Sequence, residues 1–284
     1  LTTLGIIIGV AAVVAIVSAT DGMRLYILNE FETFGAKKVF IDGRVPRSKW
    51  GLVPWQYYDL KKREIEAILK NADSIDKITP MVRLAGEVRA GELMKNDVSV
   101  FGIWPTWHEI ENRTVIQGRP FSRIDEDEML AVCLINDKCI EEFNLPKEPL
   151  DQFITIKARR FRVVGVVETK VLGAMCGGGE TRSEVFVAAG VAMAANHNGW
   201  INYAVAQLKS PDRAEEAVQE IKFILRKMRN MKPEDEETFD VEVLQQIIDQ
   251  FNSMAGAITA IAGGIVGISL VVGGVGIMNI MLVS

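Results

Sequence analysis

The two ends of this 284-residue chain lack charged side chains. All 32 basic and 37 acidic residues lie between Asp21 and Asp249. A helix of about 20 apolar residues crosses a bilayer, and inside hydrocarbon the backbone groups must be bonded within the segment. The absence of charge therefore predicts a membrane-spanning helix at each end. A cleaved signal peptide is the alternative for the first, but no basic segment precedes it and no cleavage motif follows.

The sequence also lacks the motifs of catalysis. It contains no Gly-x-x-x-x-Gly-Lys-Ser/Thr loop for a nucleoside triphosphate and no Gly-x-Ser-x-Gly elbow for a nucleophilic serine. There are two histidines, and "WHEIE" around His108 lacks the second histidine of a zinc protease. We therefore expect no enzyme active site, no cofactor and no metal site in this chain. The net charge of −5, without an arginine-rich stripe, excludes nucleic acid as a partner.

The acidic run and the cysteines each allow two interpretations. The run "DEDE" at 125–128 lacks the spaced oxygens of a calcium loop, so a solvated face is favoured over a calcium site. Three cysteines cannot all pair, and Cys176 lies in the glycine-rich "MCGGGETRS", interpreted as a loop. Cys133 and Cys139 could form a disulfide in an extracytoplasmic domain, but small buried hydrophobic residues are the favoured interpretation.

The segment between the predicted spans shows two strand–helix–strand units. "AKKVFID", "YYDLKKREIEAILKNA" and "SIDKITPMVRLAGEVRA" form the first, and "INYAVAQLK", "SPDRAEEAVQEIKFILRKMRN" and "TFDVEVL" the second. Together they predict an α/β subdomain, 35–109 with 199–243, whose helices pack on one sheet. The short strands and turns of 110–198 predict an inserted, mostly β subdomain. The predicted fold is thus an α+β domain flanked by two helices, 1–34 and 244–284.

Each flanking helix is expected to extend beyond the membrane as a stalk. Ile27 and Phe31 continue a helical spacing after the first span, and Ile247 and Phe251 do so before the second. We assign these four residues to coupling through the stalk.

Glycines are unusually frequent in the two apolar ends, although each costs a helix about 1 kcal/mol relative to alanine. Small residues four apart allow membrane helices to pack closely, which is the favoured interpretation over the general frequency of glycine in such helices. The residues assigned to transmembrane packing are Gly5, Gly9, Gly256, Ala260, Gly263, Gly264, Gly267, Gly273, Gly274 and the polar Asn279.

Four tryptophans form the remaining candidate site. Trp50, Trp55, Trp104 and Trp107 are interpreted either as a surface for a ligand or an adaptor protein, or as residues of the core and of subdomain contacts. The core alternative is favoured.

The two ends resemble a known family. "TTLGIIIGVAAVVAIVSATDG" is similar to the first transmembrane helix of the MacB family of ABC transporter permeases, in the wider FtsX-like group, and "ISLVVGGVGIMNIMLVS" to its second. The middle agrees through "FGIWP", "IQGRPF", "AVCLINDKCIEEF" and "ITIKARRFRVVGVV". Gly102, Pro105, Gly118, Arg119 and Phe121 fall where the family's extracytoplasmic domain has such residues.

The resemblance implies an inner-membrane permease of four helices, of which this chain holds two and the periplasmic domain between them, with porter and sabre subdomains. It also implies a homodimer and an ATPase, fused or separate, that binds ATP and Mg on the cytoplasmic side. A periplasmic adaptor and an outer-membrane channel are further expected partners, besides the lipid bilayer. Ser284 is expected to lie where the cytoplasmic coupling segment begins.

Three functions follow as alternatives. The first is mechanotransmission, in which ATP-driven closure moves the periplasmic part and drives export of drugs, peptides or other substrates. The second is an FtsX-like regulator of a cell-wall hydrolase, and the third is a two-span receptor with a ligand-binding outer domain. The inserted β subdomain favours the exporter.

Overall fold

The computed structural model describes residues 37–170, 182–196 and 200–243. It also describes parts of the two terminal segments, at 7, 11, 14–20, 22, 23, 253–265, 267, 268, 271, 274, 275 and 278. The chain divides into two compact units. One comprises 1–34 with 244–284, and the other comprises 35–243.

The larger unit contains twelve strands within its described residues. In chain order they are β1 (Lys38–Gly43), β2 (Ile75–Leu84), β3 (Val88–Ala90), β4 (Leu93–Lys95), β5 (Ser99–Ile103), β6 (Val115–Gly118), β7 (Val132–Asn136), β8 (Phe153–Ile156), β9 (Arg159–Val167), β10 (Glu184–Ala188), β11 (Tyr203–Leu208) and β12 (Phe239–Val243).

The same residues form six α-helices. They are α1 (Lys62–Asn71), α2 (Trp107–Glu111), α3 (Arg123–Asp127), α4 (Asp137–Glu142), α5 (Ala189–Ala195) and α6 (Ala214–Met228). Short 3-10 turns occupy Arg47–Lys49, Trp55–Tyr58 and Pro211–Arg213. The turn beginning at Pro211 leads into α6 because proline is already in a helical φ and has no N–H to leave unpaired.

The first half of the sheet is built from two interlocked strand–helix–strand units. The strand order is β12-β1-β11-β2, with every neighbouring pair antiparallel. Helix α1 joins β1 to β2, and α6 joins β11 to β12. α1 packs on β2 and on α6, and α6 also packs on β12. α6 buries Ala217, Val218, Ile221 and Leu225, spaced three or four residues apart as the amphipathic pattern predicts.

Strand β2 belongs to both halves of the sheet. Its residues up to Met81 pair with β11, whereas Val82 to Leu84 pair with β5. Pro80, which has no N–H to donate, stands just before this change of partner. The second half then follows as β5-β10-β7-β9-β8-β3-β4, with β6 paired to β9.

The structure differs here from the predicted subdomain boundary at residue 110. Strands β3, β4 and β5 precede that residue but belong to the mostly β half of the sheet, because β3 pairs with β8 and with β4, and β5 pairs with β10. The sequence analysis assigns them to the α/β part because they follow β2 directly. Pairing between distant strands, which the local pattern does not encode, places them in the other half.

Two clusters of buried side chains hold this unit together. The larger one extends across both halves of the sheet and includes Ile41, Ile65, Ile78, Val163 and Leu225. The smaller one surrounds Trp107 and Phe186.

The terminal segments are helical at 14–20 and 253–265. Among the described residues, no helix combines the length and the hydropathy that crossing a bilayer requires. Most of the two predicted spans lies outside those residues.

Candidate interaction surface

The segment 44–58, which joins β1 to α1, exposes four large apolar side chains. We call it the aromatic loop. Trp50 is 81% exposed, Leu52 78%, Trp55 57% and Tyr57 71%. Soluble proteins rarely expose contiguous apolar surface, and where they do it often marks a contact site for another molecule.

Proline and glycine set the local shape of the aromatic loop. Its two 3-10 turns begin directly after Pro46 and Pro54. Gly51 lies between them with φ +76°, a left-handed conformation that side chains disfavour. The Ser48 amide and hydroxyl both donate to the Glu236 carboxylate, at 3.2 and 2.9 Å, which ties the loop to the segment before β12.

The end of the aromatic loop returns across the end of β1. A Cβ on Gly43 would lie 2.2 Å from the Tyr58 carbonyl oxygen, so only glycine permits this approach. Tyr58 is 8% exposed, and its ring meets that of Tyr57 edge to face at 5.6 Å between centroids. The two adjacent tyrosines therefore separate into one buried and one exposed ring.

A cavity of about 300 Å³ lies beside the aromatic loop. It is lined by Tyr57, Tyr58, Asp59, Lys61, Arg63, Glu64, Met228, Arg229, Asn230, Met231 and Thr238. These residues come from the end of the aromatic loop, the first turn of α1, the end of α6 and the start of β12.

An ion pair forms one wall of the cavity. Arg229 donates from Nε and Nη2 to the two oxygens of Glu64, at 2.8 and 3.1 Å. Its remaining nitrogen, Nη1, donates to the Thr238 carbonyl and hydroxyl oxygens, at 2.7 and 2.9 Å. Glu64 also accepts from the Lys61 amide, which caps α1. The charge and the donors of Arg229 are therefore already occupied.

Asp59 lines the same cavity and is 5% exposed. Among the described residues, its carboxylate accepts no hydrogen bond and forms no ion pair. Burial raises the pKa of Asp59 to about 6, with a smaller opposing effect of Arg229 and a further increase from Asp42. Sequence reasoning missed this residue, because nothing in "YYDLKK" distinguishes a buried aspartate from an exposed helix-start residue.

The four predicted tryptophans fall into two separate places. Trp50 and Trp55 share the aromatic loop. Trp107 is 2% exposed and packs 4.4 Å from Phe186 between ring centroids, so it belongs to the core alternative and is not a surface residue. Trp104 is partly buried against the larger core cluster, and its amide donates to Thr79. Because Trp107 is buried, it cannot form an exposed surface together with Trp50.

Other polar residues singled out in the sequence have structural partners. Asp125, the first residue of "DEDE", is 1% exposed and accepts from Arg119 at 2.6 and 2.9 Å. The Ser122 hydroxyl and amide donate to it as well, both at 2.7 Å. These contacts, Arg119 first, lower the pKa of Asp125 to about 2. Glu126 accepts from the Gly190 amide at 3.0 Å, so the predicted solvated face is wrong for these two residues.

Cys133 and Cys139 are free thiols and fully buried, as the favoured interpretation predicts. The Cys139 thiol donates to the Glu184 carbonyl at 3.4 Å, and burial raises its pKa to about 12. His108 has two buried ring nitrogens without a hydrogen-bond partner, and burial lowers its pKa to about 4. Cys176 and His197 lie outside the described residues.

Only part of the predicted packing and stalk residues can be placed. Among the described residues, no atom lies within 4 Å of where a Cβ would stand on Gly256, Gly263, Gly264, Gly267 or Gly274, and Ala260 is exposed. The buried residues of the same helical segment are Ala255 and Ala262. The others lie outside the described residues, namely Gly5, Gly9, Ile27, Phe31, Ile247, Phe251, Gly273 and Asn279.

Comparison with known proteins identifies the family. A family model described as the MacB-like periplasmic core domain matches residues 1–224. The chain belongs to this MacB-like family. It is 30% identical over 292 residues to the pyoverdine export ATP-binding/permease protein PvdT of Pseudomonas fluorescens. It is also 28% identical over 291 residues to the macrolide export ATP-binding/permease protein MacB 2 of Aeromonas hydrophila. In both cases all of this chain is covered but only 42% of the relative.

Solved structures confirm the α+β fold of the MacB-like domain. The periplasmic region of MacB from Actinobacillus actinomycetemcomitans superposes with a TM-score of 0.65 at 16% identity, covering 80% of this chain and 98% of that one. The extracellular domain of YknZ, a noncanonic ABC-type transporter from Gram-positive bacteria, has a TM-score of 0.59 at 16% identity. It covers 72% of this chain and 99% of the other. The MacB-like chain thus has the same fold as these two solved domains.

Proposed function

We propose that this MacB-like chain is the membrane-anchored, periplasmic part of an ABC permease that exports a substrate. The observation that supports this most strongly is the match of the full chain to relatives named as export ATP-binding/permease proteins. The fold similarity to the periplasmic region of MacB supports the location of the central domain. The remaining part of such a protein would supply the ATPase, which binds ATP and Mg, and further helices.

The charge-free ends are proposed to anchor the chain in the inner membrane as two spans. The described residues leave the small-residue face of the second helical segment open, which suits close packing against another helix of the transporter. A homodimer is one source of such helices.

The central domain is proposed to move when the ATPase closes, which is mechanotransmission. Strands β1 and β12 carry the two chain connections, at residues 38 and 243, and pair with each other over five residues. A displacement of both connections therefore acts on one paired edge of the sheet.

The aromatic loop is proposed as the contact surface for a periplasmic adaptor. It leaves the far end of β1, about 20 Å from Lys38 at 3.3 Å per strand residue. It thus lies away from the connections to the terminal segments. In the complete transporter, Trp50→Ser combined with Trp55→Ser should lower export. Phe223→Ser, which alters an aromatic residue 69% exposed on α6, should not.

Crosslinking tests mechanotransmission. Single cysteines replace Ile27 or Phe251, the stalk positions, in a complete transporter whose native cysteines, including the three of this chain, have been replaced. The proposal requires a crosslink across the dimer that depends on nucleotide, is reversed by hydrolysis and, once formed, blocks export. Crosslinking that ignores nucleotide at both positions in an active transporter would leave the stalk as a passive spacer.

A further inference from the structure

The buried charges of the larger unit are paired, with one exception. Among the described residues, Lys38 is paired with Glu111, Glu64 with Arg229, Arg113 with Glu184 and Asp125 with Arg119. Asp59 is buried to the same degree and has neither an ion pair nor a hydrogen bond.

A carboxylate with little exposed surface and no partner is costly, because it keeps only part of its hydration. The Asp59 oxygens are not among the fully enclosed polar atoms that lack a hydrogen bond, so water still reaches them. Burial raises the pKa of Asp59 only to about 6, so the carboxylate is still mostly ionised at neutral pH. Groups that break the rules of folding without compensation are expected at functional sites. Asp59 also lines a cavity, so a ligand could reach it.

The rest of the cavity suits a cation that carries an apolar group. Tyr57 and Tyr58 line the cavity together with Asp59, and aromatic rings attract ammonium groups. Met228 and Met231 add soft apolar surface that adapts to irregular shapes. Arg229 does not compete for Asp59, because Glu64 and Thr238 take its donors.

We propose that this cavity binds a small organic molecule with one ammonium group, whose N–H donors bond the Asp59 carboxylate. The ligand's apolar part lies against Tyr57 and Met231. A volume of about 300 Å³ is at the lower limit of small-molecule pockets, so the ligand is small.

The charged side chains around the rim of the cavity restrict the class of ligand further. Lys61 and Arg63 also line the cavity, and both are exposed, without an ion pair among the described residues. Their charges, partly screened by water, repel every ammonium group near the rim. The Asp59 carboxylate offsets this repulsion for one ammonium group, whereas Glu64 is already paired with Arg229 and cannot offset it for a second. The cavity therefore selects a monoamine over a polyamine.

The test compares phenethylamine with 2-phenylethanol, a neutral molecule of nearly the same shape, by calorimetric titration of the chain in detergent micelles at pH 7. We expect the amine to bind at least about tenfold more tightly than the alcohol, which corresponds to one charge-assisted hydrogen bond. Asp59→Asn should remove that difference. Asp151→Asn, which alters an exposed aspartate of the mostly β half, should leave it unchanged.

Two further measurements test the role of the Tyr57 ring and the preference for a single ammonium group. Tyr57→Ser changes an exposed ring and should weaken amine binding about threefold without affecting the fold. Spermidine should bind no better than phenethylamine. The proposal is overturned if the amine does not bind at millimolar concentration, if it binds no better than the alcohol, or if Asp59→Asn retains the preference. These measurements need neither ATPase nor transport, so they do not depend on the proposed function.

Discussion

Tryptophan and aspartate occur in two regions of this chain with opposite surroundings. Near α2 and α3, Trp107 is enclosed by other rings and Asp125 has four donors within 2.9 Å. Beside α1, Trp50 lies in solvent, and Asp59 is 5% exposed with no partner among the described residues. In the first region the tryptophan and the aspartate are both enclosed and satisfied. In the second neither is, which is the basis of the two binding sites proposed there.

Replacement of the two tryptophans should give the largest contrast. Trp107→Ala removes a ring that contacts Phe186 and lies under the Arg113 guanidinium, and should lower the free energy of unfolding by about 3–5 kcal/mol. Trp50→Ala should change it by less than about 0.5 kcal/mol, because the side chain is 81% exposed. Urea unfolding of the chain in detergent, followed by far-ultraviolet circular dichroism, measures both. Equal losses of unfolding free energy in Trp107→Ala and Trp50→Ala would contradict the difference between the two regions.

Removal of the Arg119 side chain should have the next largest effect. Asp125 would remain buried with only the Ser122 donors, so we expect a loss of about 2–3 kcal/mol at pH 7. Because the folded pKa of Asp125 is lowered to about 2, its contribution is present above about pH 4 and lost as the pH falls toward 2.

The measurement is urea unfolding at pH 7 and at pH 3. The difference between wild type and Arg119→Ala should shrink at the lower pH. Burial lowers the pKa of His108 equally in both proteins, so its titration cancels in the comparison. A difference independent of pH would show that Arg119 acts through packing alone.

The smallest effect, and one of opposite sign, is expected for Asp59→Asn. The raised pKa of about 6 means that the ionised carboxylate opposes folding above that pH, and that this penalty disappears as the pH falls from 6 toward 4. The asparagine variant should therefore be more stable than wild type by about 1–3 kcal/mol at pH 7.5. The two should converge near pH 4. Thermal unfolding at both pH values measures this, and a destabilised variant at pH 7.5 would mean that the carboxylate has a partner.

The sequence predicts the α/β half well because its signals are local. The apolar spacing around Val218 and Ile221 specifies one helix and its buried face. The alternation in "INYAVAQL" correctly predicts a strand, but Ala204, Val205 and Ala206 are all buried, so the strand is covered on both faces. The mostly β half is only partly predictable. Strands β3 and β4 have three residues each and pair with each other, and the strand that joins them to the rest of the sheet, β8, lies far along the chain, so no local pattern assigns them.

The candidate surface was predicted only in part. The sequence analysis names Trp50 and Trp55 as possible surface residues but favours a core role, which is wrong for both, because they are 81% and 57% exposed. The burial of Asp59 depends on the end of α6 and the start of β12, more than 160 residues later. Only the folded chain brings these groups around one carboxylate.

The pairing of β1 also bears on the order of events during protein synthesis. β1 leaves the ribosome before the other described strands of the domain, yet its two strand neighbours are Tyr203–Leu208 and Phe239–Val243, near the end of the domain. The backbone N–H and C=O groups on both edges of β1 therefore stay unpaired until almost the whole domain has been translated. Closing loops of this length slows folding and leaves apolar strand edges exposed meanwhile. Nascent chains of this protein are therefore expected to depend on chaperones until β12 has emerged.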